Sequence, residues 1–154
     1  MTGWFGSVYM ILLILHSWLR WVVLIVGAGA VVSASRAEPR PADRGSLAFT
    51  IALDLQVTVG LVLYLVVSPL GLPLLRSAGE VMHQAQLRFW AIEHPVGMLT
   101  ALVLAHVFRV LARRAPTEEG RRRRLLWGSV LPLVIILITV PWPAMQYGRP
   151  LFRM

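Results

Sequence analysis

Six ionisable side chains stand inside stretches that are otherwise apolar: His16, Arg20, Asp54, Glu93, His94 and His106. An ionisable residue in hydrocarbon is expensive to keep, so each marks a candidate functional position. Histidine has the widest chemistry among them, because a neutral imidazole binds metals and moves protons. Two neutral histidines on facing helices, one ring on each side of an iron, are what bis-imidazole haem ligation requires. His16 and His94 are the pair this reading selects as haem iron ligands. The same two residues also suit interhelical hydrogen bonding or a membrane interface, without a cofactor.

Their neighbours extend both readings. Arg20 follows His16 by one helical turn on the same face, so it suits a haem propionate or, across helices, an ion pair with Asp54. Glu93 points about 100° away from His94 around the helix. It suits a second partner holding a His16 ring nitrogen, proton exchange with a quinone headgroup, or a salt bridge to Arg88 or Arg20. His106 comes last among the cofactor-binding candidates. Its depth-matched partner is Asp54, a poor haem ligand, so a second haem is not expected and His106 falls beside Arg109 near the headgroups. Met98, one turn after His94, suits a His/Met copper site or plain packing. Gly97, Ala101 and Ala105 recur on roughly the His94 side, where small residues admit a flat group or another helix.

The elements that must position these residues follow from composition. The 154 residues are 57% hydrophobic and only 14% charged, with a mean hydropathy of +0.70; soluble domains carry roughly a quarter charged residues. Apolar runs cover 8–32, 47–67, 89–111 and 125–140, lengths suited to crossing about 30 Å of hydrocarbon as helix. Strands fail there, because a lipid-exposed sheet edge leaves backbone groups unpaired. The expected fold is all-α: a four-helix transmembrane bundle forming one integral-membrane domain over 1–154. Ser68-Pro69 and Pro141-Trp142-Pro143 close the second and fourth spans. Residues 77–88, with Glu80 and His83, suit a short interfacial helix.

Charge placement sets orientation. The net charge of +8 comes from 15 arginines without a lysine, and they flank the apolar runs. The expected partners are therefore membrane lipid and other subunits of a membrane complex, with no nucleic acid. Arg36, Arg40 and Arg44, then Arg109, Arg113, Arg114 and the run 121–124, load two connections against only Arg76 and Arg88 in the middle one. The positive-inside rule makes the loaded connections cytoplasmic and both termini outward. The run 121–124 serves as an anchor near anionic lipid or as a docking site. No positive residue precedes Arg20 and the first apolar run is long, so a cleaved signal peptide is not expected. Trp4, Phe5, Tyr9, Trp90, Trp142 and Tyr147 suit the outer aromatic belt. The chain has no cysteine, which excludes disulfides and thiolate sites. It also lacks GxGxxG, Walker, HExxH and GxSxG motifs, so no independent catalytic site is expected.

Helical rise turns position into depth. His16 falls about 12 Å and His94 about 8 Å below the outer edge, while Arg20 (about 18 Å down) and Asp54 (roughly 20 Å down) match at mid-membrane. These coincidences predict a His16–His94 pair, if the first and third spans are neighbours, and an Arg20–Asp54 ion pair.

The segments Leu15-His16-Ser17-Trp18-Leu19-Arg20-Trp21, Leu55-Gln56 with Gly60 and Tyr64, Trp90 with Glu93-His94-Pro95, and Pro141-Trp142-Pro143 with Gly148-Arg149-Pro150 carry a resemblance. Together they resemble a family of small four-span bacterial membrane proteins labelled cytochrome b. The resemblance implies haem ligands at His16 and His94, with His106 less firmly placed; Asp54 stands where a further histidine would suit, which speaks against two haems. The expectation is a b-type cytochrome-like subunit of the bacterial inner membrane. It would pass electrons between the quinone pool and a partner in a respiratory or photosynthetic complex. The competing expectations are a haem-free accessory subunit and a metal transport or assembly protein. Because the chain has no cysteine, single-cysteine labelling tests the orientation directly. In intact cells a membrane-impermeant maleimide should label Gly79→Cys and not Ala115→Cys; the reverse pattern would invert the topology.

Overall fold

The structure is a computed structural model that describes residues 3–36 and 39–153, without the side chains of residues 3, 39–41, 77 and 78. The Arg40 side chain of the first arginine-rich connection thus lies outside the described residues. The chain is all-α, with no strand among the described residues. Helix α1 covers Gly3–Ser35, and α2 covers Pro39–Val62 and runs on through a π-helical turn, Leu63–Val67. A 3₁₀ turn (Leu72–Ser77) and two short helices, α3 (Ala78–His83) and α4 (Ala85–Arg88), make the expected helical connection. A second π turn, Phe89–Glu93, leads into α5 (His94–Arg113), and α6 covers Glu118–Thr139.

Three stretches are long and apolar enough to cross a membrane: Trp4–Ser35, Ala42–Val67 and Ala85–Arg113. The fourth expected span, 125–140, is helical to Thr139, but the first turns of α6 hold the arginine run, which leaves its apolar part short. Large apolar side chains face outward on every long helix, among them Ile25, Ile51, Val103 and Ile138. Such a continuous apolar exterior is the mark of a membrane protein. Hydroxyls on these helices return to their own backbone: Thr50 donates to Ser46 O, Thr100 to Val96 O and Ser129 to Leu125 O. That keeps them satisfied without water.

The helices form a ring in the order α1, α2, α5, α6. The first and third spans are therefore diagonal rather than adjacent, a correction to the neighbour relation the depth argument assumed. Ala34, Ala42, Ala112 and Leu125 make a small buried layer at the arginine-rich end. There Arg122 donates to the Ser35 and Arg36 carbonyls, Arg124 to Leu111 O, and Arg121 pairs with Asp43 at 2.7 Å. The run 121–124 thus caps open carbonyls where α1 and α5 end. Thr117 caps the start of α6 by accepting from Gly120 N. The main core rises from this layer through Phe49, Leu53, Ala101, Ala105 and Ile136.

Close helix approach fixes α5 against α6. A Cβ at Gly128 would stand 2.5 Å from Phe108 Cβ, and no rotamer change relieves a clash with an atom bonded directly to the backbone. Gly128→Ala should lower bundle stability by about 1–3 kcal/mol through overpacking, read as a reduced unfolding midpoint in detergent.

Candidate functional site

The site lies at the end of the bundle away from the arginine-rich layer, where proline shapes the backbone. Pro95 has no N–H, so the carbonyl four residues earlier, that of Ala91, loses its helical partner. The Tyr64 hydroxyl fills that place, donating to Ala91 O at 2.8 Å. The helix also widens here, since the His94 N–H bonds to Phe89 O five residues back. Tyr64 belongs to the other π turn, where Ser68 N–H bonds to Leu63 O. Two π turns, a common device at functional sites, are thus joined beside His94. His94 continues a helix rather than capping one.

Depth agrees across three helices. His16 stands 18 residues before buried Ala34, His94 stands 18 before Ala112, and Gly60 stands 18 after Ala42. At helical rise each is about 27 Å from the arginine-rich layer. From opposite corners of the ring the His16 and His94 side chains meet, their ring centroids 6.4 Å apart and their planes 81° apart. Gly60 leaves the room for this, because a Cβ there would stand 3.0 Å from His16 Cε1.

Each ring has one nitrogen engaged. His94 Nδ1 lies 2.8 Å from Thr139 O, to which it can only donate, leaving Nε2 as the nitrogen with a lone pair. The Gln56 amide nitrogen donates to His16 O at 3.1 Å and lies 3.2 Å from His16 Nε2. His16 Nδ1 is buried without a partner. The pair sits between two cavities of about 140 and 30 Å³. His16, Gln56, His94, Pro95 and Met98 line both.

The segment after α6 folds back over the larger cavity. Trp18 Nε1 donates to Arg153 O and Trp21 Nε1 to Leu151 O, each at 3.1 Å, and the Arg20 guanidinium also reaches Leu151 O. Phe152 stacks on Trp21, Tyr147 stacks on Phe89, and Arg149 lies over the Trp90 ring.

The other expected residues fall elsewhere. Asp54 bonds to His106 at 2.9 Å, on a half-exposed flank of α2 and α5. This replaces the expected Arg20–Asp54 pair, joins His106 to its depth-matched neighbour in the second span, and leaves His106 outside the cavity lining. Asp54 lies two residues, about 200°, from inward-facing Gln56, so it points out of the ring. Glu93 pairs with Arg88 at 2.7 Å, one of its expected uses, and does not line the cavity. Gly97 is packed by Thr139 and Ala101 and Ala105 lie in the helix core, so that stripe serves helix packing. The sequence placed Trp90 only in the aromatic belt and gave Gln56, Tyr64, Arg149 and Arg153 no part in a site; Gln56 and Tyr64 are polar groups inside a span, a signal that ionisable residues alone do not carry.

Among the described residues no three His, Asp or Glu side chains converge as a metal site. No family model, curated protein or solved structure matches the chain. Gln56→Leu removes both bonds to His16 and should cost about 1–3 kcal/mol of stability. Histidine ¹⁵N spectra should show the His16 tautomer equilibrium change while His94 keeps its Nδ1–H form.

Proposed function

We propose that the chain is a membrane-embedded b-type cytochrome subunit, with one haem b held between His16 and His94. In this reading α6 completes a four-span, N-out/C-out bundle in a bacterial inner membrane. The protein carries electrons between the quinone pool and a partner protein of a respiratory or photosynthetic complex. One observation carries it. An imidazole nitrogen binds a first-row metal at about 2.0–2.1 Å and the ring centre lies roughly 1.2 Å behind, so two rings across one metal stand about 6.4 Å apart. The His16 and His94 centroids are 6.4 Å apart.

The surroundings fit the group. Thr139 O fixes the His94 tautomer and ring plane, as such partners do for ligating histidines. Gln56 orients His16 from α2. A macrocycle is wider than either cavity and would reach into both. Arg20 and Arg149 at the larger cavity would neutralise its acidic edge, and Val57 and Leu61 at the smaller would face its apolar edge. Bound there, haem supplies a one-electron iron centre. The protein's part is to hold the two imidazoles, exclude water with the folded-back tail and neutralise the acidic edge.

A second reading has its own observation. The Gln56 amide already meets His16 Nε2, which makes the pair an interhelical lock in a haem-free accessory subunit. A dithionite-reduced minus oxidised spectrum with haemochromogen quantification separates the two. About one haem b per chain is expected, with the Soret band lost in His16→Ala and His94→Ala. A colourless protein from haem-replete cells would overturn the cytochrome reading and favour the lock.

A further inference from the structure

We propose that the outer flank shared by α2 and α5 is the contact between two copies of this chain, joined by hydrogen bonds exchanged between Asp54 and His106. Asp54 stands 12 residues after Ala42 and His106 stands six before Ala112, both members of the arginine-rich layer. Helical rise puts them about 18 and 9 Å into the apolar part of the bundle. Their side chains are nevertheless 43% and 53% exposed, on the outside of the ring. Ionisable groups inside membrane spans almost always face protein or a water-filled cavity, because hydrocarbon offers them no partner. The neighbours on this flank are large, apolar and exposed: Leu47 and Ile51 on α2, and Leu99, Val103 and Val110 on α5. Each lies within about 60° of Asp54 or His106 around its helix. Such a face is covered by lipid tails or by another protein, and only protein offers the pair hydrogen bonds.

The unused atoms of the pair select which protein. His106 Nε2 meets Asp54 Oδ1 at 2.9 Å, and neither side chain has another partner among the described residues. In the overall neutral state that an apolar surrounding favours, the pair carries two protons, one of them in the internal bond. Whether the other sits on His106 Nδ1 or on Asp54 Oδ2, the pair turns one donor and one acceptor outward. Such a group complements a copy of itself. A two-fold axis along the membrane normal keeps both copies in one orientation and brings equal depths together, so each donor meets the other copy's acceptor. Thr58, one turn beyond Asp54 on the same stripe, adds an exposed hydroxyl with no bond among the described residues. Thr50 and Thr100, by contrast, return theirs to their own helix.

The inference goes beyond the cytochrome reading and stands or falls without it. The chain has no native cysteine, so single-cysteine cross-linking reads the contact in membranes of cells expressing the full chain. Oxidation of Ile51→Cys and Val103→Cys should give a band at twice the 17.2 kDa chain mass. Ile25→Cys on α1 and Ile138→Cys on α6, equally exposed positions on the other helices, should not. Förster transfer between labelled chains in liposomes reads the strength. Asp54→Leu combined with His106→Leu should weaken the dimer roughly tenfold to a hundredfold, the size of two interhelical hydrogen bonds. Asp54→Asn still presents a donor and an acceptor and should still dimerise. A chain that stays monomeric, equal cross-linking at the control positions, or a double variant that pairs like the wild type overturns the proposal. Cross-linking only to a protein of another mass overturns the second copy in favour of a different subunit. If the double variant does not fold, the cysteine pattern in the otherwise native chain decides alone.

Discussion

A helix in an apolar layer has no water to satisfy a backbone group its sequence has left open. At Pro95 this constraint meets the position next to His94, and the local structure is its solution. The Ala91 carbonyl goes to Tyr64, and the backbone widens to a five-residue hydrogen bond before His94. Tyr64 belongs to the π turn that follows α2, so the neighbouring helix supplies the replacement donor. The direction from which His94 enters the bundle depends on that exchange.

The arginines divide into two chemistries. At one end Arg122 and Arg124 find backbone carbonyls and Arg121 finds Asp43, so charge there closes helix ends. At the other end Arg20, Arg149 and Arg153 surround a cavity whose remaining wall is neutral. The first group is held by carbonyls and a carboxylate of the chain itself, and the second faces a cavity lined by no Asp or Glu. The folded-back tail belongs to this second group, since it supplies two of the three cations and the carbonyl that holds the third.

Length and hydropathy made the helices and the membrane character legible, and helical rise placed His16 and His94 at a common depth. Rise carries no information on direction around the axis. Arg20 and Asp54 were matched in depth, but Asp54 points out of the ring and Arg20 into the cavity, so they never meet. Ring order was equally hidden, because short connections join successive helices without saying which corners face each other. The two histidines meet along a diagonal, which side-chain reach permits even where the helix backbones stay apart. The tail's role was out of reach for another reason: its bonds to Trp18, Arg20 and Trp21 span 130 to 135 positions along the chain.

The helices differ greatly in length. Helix α1 has 33 residues, about 50 Å of rise, whereas the apolar part of α6, residues 125–139, gives about 22 Å. In the four-span arrangement a bilayer around this molecule meets a long flank and a short one. It must thin beside α6, or α1 must tilt, and either response carries an elastic cost that grows with acyl-chain length. The segment that makes up the shortfall above α6 is the same one that covers the cavity. In that arrangement hydrophobic mismatch falls on the segment from Pro141 to Arg153, the one that also holds Trp18, Arg20 and Trp21.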